Sequence, residues 1–379
     1  MLFKRNIVLL ICGMSVLAIT RSVSSVLASE IHHSSTETCD EHDENKEAAE
    51  NKTIFTISGQ VRTRGDFVKH QNLGDFGFTP DTHDEQLLSR TRLSLSVEPT
   101  EQIKGFIQGQ FYDRQNKSDY SKTNLYQGYF EFSERGFPIS LKVGRQEFCY
   151  GSAFFLGPND FCEGLVWDGA KVKISPRENL WIDVMGARYV KLNKNTSDSE
   201  PALYGFYSSY ALLKDTDIDL YFFYHEGGFQ FFHSDLPDSE KWFSLGTRIA
   251  GEIGERIDYE VEPLYQFGKI DNSERAARDT ISAYGGHIEG GYTFKVKHNP
   301  RIFAGYAFGS GDSDSSDTKY QEFHGNIYND NYLVGDTSII PDLSGITVGD
   351  FRASGMNILI AGATCDILPL LNLNLIFNI

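Results

Sequence analysis

Basic and amide side chains recur at every second position in several segments of the chain. A guanidinium group donates a fork of hydrogen bonds that matches a carboxylate, and a glutamine amide can bond a sugar hydroxyl. The residues with this spacing are therefore our candidates for a path that contacts an anionic solute. The alternative is that they solvate a wall and pair with acids of the chain itself. The full set is Arg62, Arg64, Arg90, Arg92, Lys104, Gln108, Gln110, Arg114, Gln127, Lys142, Arg145 and Gln146, with Lys171 and Lys173 beside them.

The elements that would position these residues alternate apolar and polar side chains. Phe55, Ile57 and Val61 fall on one face of the first such run, whereas Arg62 and Arg64 fall on the other. This period of two predicts β-strands with one apolar and one polar face. Several runs reach the ~9–11 residues that a tilted strand needs to cross a bilayer, and exceed the ~5–6 of globular sheets.

Aromatic residues are also abundant, with 19 Tyr and 28 Phe, and many lie at the ends of these runs, as in the aromatic girdles of membrane barrels. No long helical period is present. We therefore predict an all-β fold, an antiparallel transmembrane β-barrel that begins at residue 53 and embeds in outer-membrane lipid as a monomer. A soluble β-sandwich or β-helix is the alternative.

The connections between the runs alternate between short and long, as expected for short inner turns and long outer loops. Counting runs between the connections gives about 15 strands. Bacterial single-chain barrels have an even number, so the count is off by one or strands are missing from residues 53–379. We expect a barrel that is incomplete at its C-terminus.

The N-terminal residues predict export. Lys4 and Arg5 precede the apolar run 7–19, and small residues near Ala28 suit cleavage, so residues 1–28 are interpreted as a signal peptide. Residues 29–52 have the composition of a disordered acidic periplasmic tail. The net charge of −17 disfavours nucleic acid as a partner.

The stretch at residues 141–174 reads LKVGRQEFCYGSAFFLGPNDFCEGLVWDGAKVKI. It resembles the alginate export family of bacterial outer-membrane proteins. Further similar segments are SRTRLSL, GFIQGQFYDR, LYQGYFEF and AFGSGDSDSSD, in the order that the family has them. The resemblance implies an outer-membrane barrel of 18 strands, so that about 15 are present here. It also implies passive export of a polyuronate, an alginate-like anionic polysaccharide or oligosaccharide, through an arginine-lined pore.

Other functions stay open at this point. Asp219, Asp258, Glu260, Glu262 and Glu289 are predicted to face inward too, which gives a lumen with both signs of charge. Such a lumen is explained by acid–base ladders that brace the barrel, or by a neutral or zwitterionic sugar as the solute. A diffusion porin for uptake of small organic acids or sugars is the main alternative, and an outer-membrane hydrolase is a third. We expect no enzyme, because no strand-to-helix elbow surrounds a candidate nucleophile.

Three local predictions concern single residues. Strict alternation places Arg145 on the apolar face together with Glu147, so we predict a β-bulge at Gly144 that turns Arg145 inward; in a regular strand Arg145 would be a rim residue paired with Glu147. Cys149 and Cys162 are candidates for a disulfide, with two separate thiols as the alternative. Asp312, Asp314 and Asp317 offer oxygen ligands for calcium, with a solvated acidic loop as the alternative; we expect no other cofactor.

Overall fold

The computed structural model describes twelve stretches of the chain, and every structural statement below concerns these residues. The predicted signal peptide and acidic tail lie outside them. The described residues are 53–68, 84–115, 120–158, 163–190, 202–213, 215–226, 241–272, 277–314, 316–323, 345–348, 351–368 and 371–378.

The regular secondary structure in these stretches consists of β-strands. The strands are β1 (Ile54–Val68), β2 (Asp84–Thr100), β3 (Ile103–Gln115), β4 (Tyr120–Ser133), β5 (Ile139–Gln146), β6 (Trp167–Arg177), β7 (Leu180–Tyr189), β8 (Ala202–Leu213), β9 (Thr216–Glu226), β10 (Lys241–Ile253), β11 (Ile257–Asn272), β12 (Ala277–Thr293), β13 (Arg301–Gly309), β14 (Lys319–Tyr320), β15 (Gly345–Val348), β16 (Phe351–Ser354), β17 (Met356–Leu368) and β18 (Leu371–Asn378). No helix in the described stretches is long and apolar enough to cross a membrane.

Fifteen of the strands follow one another in a single antiparallel sheet, in the order β1 to β13, β17 and β18. This confirms the predicted all-β antiparallel architecture and its strand count. Three short strands lie in the connection from β13 to β17: β14 pairs with β12 in parallel, and β15 pairs with β16.

The two faces of the sheet differ in chemistry. One face exposes apolar side chains over many strands, including Phe55 at 67% and Ile57 at 70%, whereas Arg90 on the other face is 3% exposed. An apolar exposed face with a polar protected face is the arrangement of a barrel whose outside contacts lipid. We call the polar face the inner face.

The largest buried cluster lies on the inner face. The described residues of the connection from β5 to β6, 147–158 and 163–166, place large buried side chains there, among them Phe148, Phe154, Phe155 and Leu156. They pack against Tyr207, Tyr221, Phe223, Trp242 and other inward residues of β7 to β17. The packed core of this molecule is therefore a connecting segment held against the inner face of the sheet.

Candidate functional site

The connection at residues 147–166, which we call the inner segment, turns tightly where it is described. The Tyr150 amide donates to the Leu156 carbonyl at 3.1 Å, and the Ala153 amide donates to the Tyr150 carbonyl at 2.9 Å. Gly151 and Ala153 adopt positive φ angles of 55° and 62°. Glycine tolerates this region without strain, which accounts for a glycine at position 151.

Aromatic and polar contacts attach this segment to β7, β8 and β12. The Tyr150 ring stacks on Tyr207 with centroids 4.4 Å apart, and the Phe154 ring lies 4.5 Å from that of His287. The Tyr150 hydroxyl donates to Asp183 Oδ2 at 2.7 Å. Burial and the adjacent Asp183 carboxylate raise the pKa of Tyr150 above its ordinary value, so this hydroxyl stays protonated and keeps donating.

Polar contacts attach both ends of the same segment to β2, β3 and β4. Arg92 Nε donates to Gln110 Oε1 at 2.7 Å, and Gln110 Nε2 donates to the Glu163 carbonyl at 2.8 Å. Arg92 also lies 3.5 Å from Glu147 and 3.6 Å above the Tyr126 ring. The Tyr126 hydroxyl donates to the Glu147 carboxylate. Arg92 and Gln110, two predicted path residues, therefore anchor the inner segment.

A β-bulge in β4 supplies one of these anchors. The pairing of β3 with β4 shifts register between Gln108 and Gly109, which face Gln127 and Leu125. Tyr126 is the extra residue, and it is fully buried. Gln127 donates to Gln108 Oε1 and to Glu147 Oε2, both at 3.2 Å. The sequence carried a signal for this bulge that our predictions did not use: the outward apolar position changes from odd at Leu125 to even at Phe130.

Cations concentrate on the inner face of β1 to β6, which we call the basic wall. Its register sets Arg62 directly opposite Arg90, and Lys142 directly opposite Lys171. Like charges in directly opposed positions destabilise a sheet. Some of this repulsion is offset locally, since Lys142 lies 3.4 Å from Glu131 and Lys171 lies 2.8 Å from Asp183.

The other predicted path residues on this wall also have defined surroundings. Arg90 donates to Gln60 Oε1 at 2.9 Å, and Lys104 lies 3.2 Å from Glu98. Gln146 is buried beside the Gly169 carbonyl, 3.3 Å away. Arg62, Arg64 and Arg114 are half-buried.

Arg145 does not lie on the basic wall, and the predicted bulge at Gly144 is wrong. Pairing of β5 with both neighbours continues without a register shift, so Arg145 keeps the outward position that strict alternation gives it. Its partner is Asp168 rather than Glu147, through two hydrogen bonds of 2.8 and 2.9 Å. β5 ends at Gln146, and Glu147 turns inward to Arg92 instead.

Anions dominate the inner face of β9 to β13, which we call the acidic wall. Two arginines here, Arg248 and Arg301, each lie between two carboxylates. Arg248 contacts Asp219 at 2.9 Å and Glu260 at 2.7 Å. Arg301 donates from Nε to Asp258 at 2.8 Å and from its terminal nitrogen to Glu289 at 3.0 Å. These bridges are the acid–base ladder that we considered as one explanation of the mixed charge.

A cavity of about 520 Å³ opens beside this ladder, near the turns that precede β9 and β11. Its charged lining is mainly acidic. The lining residues are Ser152, Asp215, Asp217, Ala250, Gly251, Glu252, Asp258, Tyr259, Glu260, His287, Glu289 and Arg301.

One group of potential metal ligands lies on the acidic wall, and no sequence motif indicated it. Oxygens of Glu260 and Glu262 and a ring nitrogen of His287 all lie within 4.8 Å of one another. The predicted calcium ligands do not form such a group among the described residues. In that loop Asp314 accepts a hydrogen bond from the Ser316 amide and Asp317 from the Lys319 amide, which are local turns.

One further prediction concerns the cysteines. Cys149 is exposed, but Cys162 lies outside the described residues, so their disulfide stays a prediction. A second buried histidine, His225 on β9, packs against the Trp242 ring with centroids 3.6 Å apart and bonds Ser244 at 2.9 Å.

Comparison with known proteins decides the family. The alginate export family model matches residues 54–336. The chain belongs to the alginate export family. No curated protein sequence matched this chain. As a member of this family the chain is placed in the bacterial outer membrane, and its fold is that of outer-membrane channel proteins.

Solved structures of outer-membrane porins share the fold. OccK8 (OprE) of Pseudomonas aeruginosa is 13% identical with a TM-score of 0.52, over 86% of this chain and 83% of that one. OmpF of Salmonella typhi, in a complex with daunomycin, is 10% identical with a TM-score of 0.51, over 86% and 90%. In an outer-membrane channel of this fold the polar inner face is the side toward the pore, and the described residues of the inner segment pack against that face.

Proposed function

We propose that this member of the alginate export family is a passive channel for an anionic, alginate-like polysaccharide or oligosaccharide, which moves along the basic wall. The observation that supports this most directly is the placement of like charges, Arg62 opposite Arg90 and Lys142 opposite Lys171. A sheet that keeps such pairs on its inner face maintains a positive potential there. That potential attracts a polyanion and is partly neutralised by it.

The two walls have different roles in the proposed transport, since one binds the solute and the other repels it. Carboxylates of a polyuronate exchange between guanidinium and ammonium groups of the basic wall, and neighbouring amides such as Gln108 bond its hydroxyls. Many weak contacts suit conduction, because binding has to be favourable enough for the solute to enter and weak enough for it to leave. The acidic wall repels the same solute and keeps it on the basic side. Export is the direction that the family implies, and it needs no energy source in the chain.

Planar-bilayer recording tests this proposal. We expect the full chain to form anion-selective pores whose current is blocked by an oligouronate and far less by a neutral oligosaccharide of equal length. The block should weaken steeply as salt rises, because exposed charges are screened. A cation-selective pore, or equal block by the charged and the neutral sugar, would overturn the proposal.

A diffusion porin for small organic acids or sugars is the second candidate. The buried aromatic cluster of the inner segment favours it, since Phe154, Phe155 and Leu156 occupy space that a wide polymer path would use. A length series separates the two functions. Block that strengthens with each added uronate unit supports polymer passage, whereas equal block by a monouronate and by longer chains supports the porin.

A further inference from the structure

We propose that Glu260, Glu262 and His287 form a binding site for a divalent transition-metal cation, zinc in the first instance, on the acidic wall. The proposal does not depend on which solute the channel passes.

The strand register brings the three side chains together. Glu260 and Glu262 are two positions apart on β11 and therefore share its inner face. The pairing of β11 with β12 places His287 directly opposite Glu262. Two carboxylates and one imidazole thus project from adjacent strands toward one point.

The distances between the ligand atoms suit a metal ion. His287 Nε2 lies 3.0 Å from Glu260 Oε1 and 3.5 Å from Glu262 Oε2. Four-coordinate zinc with bonds of about 2.0–2.1 Å separates its ligand atoms by about 3.3 Å. The two separations from His287 lie on either side of that value. All three ligand atoms lie within 4.8 Å of one another, so a zinc ion would draw the two carboxylate oxygens toward it.

The same three atoms are shielded from solvent and make no well-aligned hydrogen bond. Although they are close together, Glu260 Oε1, Glu262 Oε2 and His287 Nε2 have no hydrogen-bond partner of acceptable geometry among the described residues. Glu262 and His287 are each only 3% exposed. Buried polar atoms without partners are rare in folded proteins, and a bound ion is one way in which such atoms are satisfied.

Neighbouring donors hold the opposite oxygen of each carboxylate. Arg248 donates to Glu260 Oε2 at 2.7 Å, and the Tyr221 hydroxyl donates to Glu262 Oε1 at 2.8 Å. Outer contacts of this kind orient the ligands of metal sites. His287 Nδ1 has no such partner within the described stretches, and the Phe154 ring packed beside it limits its rotation instead.

The site is accessible and has the charge that a cation needs. Glu260 and His287 line the 520 Å³ cavity together with Ser152, Asp258 and Glu289, so an ion and a completing water have a route in. Two carboxylates with one imidazole form a mixed oxygen and nitrogen ligand set, which zinc accepts in four-coordinate sites.

Zinc binding to the full chain tests the site. After chelator treatment, the wild type should bind one more zinc ion per chain than His287→Gln or Glu262→Gln. The matched control is His225→Gln, which removes another buried histidine and should retain that ion. Any zinc bound by the histidines of residues 29–52 is the same in every variant, so it cancels when the zinc stoichiometries of two variants are subtracted. Cobalt chloride provides a second readout, because visible ligand-field absorption from this site should appear in the wild type and vanish in both ligand variants.

Equal zinc stoichiometry and affinity in the wild type and in folded His287→Gln would overturn the proposal. His287 would then only make a structural contact with the two glutamates. Tyr221→Phe covers the case in which neither ligand variant folds. It removes only the hydroxyl that orients Glu262, and zinc affinity should fall about 10–100-fold. Unchanged affinity in Tyr221→Phe would equally contradict the site.

Discussion

Arginines on the basic wall and on the acidic wall have different partners. On the basic wall Arg62 lies directly opposite Arg90, and Arg92 bonds Gln110 and pairs with one carboxylate, Glu147. On the acidic wall Arg248 and Arg301 each lie between two carboxylates, which outweigh the arginine charge and brace the wall. Cations that face one another across strands give a wall a more positive potential than arginines held between two carboxylates do. The difference shows that an inward arginine predicts a solute path only when its cross-strand neighbours are known.

The inner segment connects the two regions and is held differently by each. On the basic wall it is tied by hydrogen bonds to Glu147 and to the Glu163 carbonyl. On the acidic wall it is held by ring packing, as between Phe155 and Tyr221 at 5.8 Å.

The largest effect is expected from Arg248→Ala. It leaves Asp219 and Glu260 without their shared cation, and breaking a buried ion pair in this way costs about 3–5 kcal/mol. The free energy of unfolding, measured by urea titration of the protein in detergent, reports the loss. Arg135→Ala is the control, because this arginine is exposed on a short turn. Equal losses in both variants would show that the ladder does not brace the wall.

A similar loss is expected when the ring packing of the inner segment is removed. Phe155→Ala deletes a buried ring and should cost about 3–5 kcal/mol of unfolding free energy. It should also increase the current fluctuations of single pores, as the segment loosens. Phe137→Ala, at a ring that is 64% exposed, provides the comparison. If the current through single Phe155→Ala pores fluctuates no more than in the wild type, hydrogen bonds to the basic wall are enough to hold the inner segment.

A smaller change, in selectivity rather than stability, is expected from Arg62→Gln. Removing one of two opposed cations lowers the positive potential of the basic wall, so the ratio of chloride to potassium permeability should fall roughly two- to threefold. Reversal potentials in a salt gradient measure this ratio. Arg135→Gln changes the same charge outside the lumen and should leave the ratio as it is. An unchanged ratio in Arg62→Gln would remove that residue from the path.

The smallest effect is expected from Arg145→Gln. The pair with Asp168 is outward and partly exposed, so its loss should cost less than about 1 kcal/mol and leave both conductance and selectivity unchanged. A clear drop in anion selectivity would return Arg145 to the lumen and contradict the regular strand seen at Gly144.

The sequence was sufficient to predict the fold and the face on which most side chains lie. Alternation fixes the facing of a residue, so Arg62, Arg90 and Glu260 were assigned correctly to the inner face. Alternation says nothing about cross-strand partners, which depend on register. The pairing of Glu262 with His287 therefore has no local signal. The bulge at Tyr126 does have one, since the outward apolar position changes from odd at Leu125 to even at Phe130. The glycine at position 144 suggested a bulge that the pairing of β5 does not contain.

The most direct test of the account is the affinity of oligouronate block in single pores of the wild type, Arg62→Gln and Arg64→Gln, each at low and at high salt. We predict that block weakens several-fold in both variants and that its salt dependence becomes less steep, because fewer cations of the basic wall meet the solute. Block that is equally strong and equally dependent on salt in all three proteins would show that the solute does not follow the basic wall.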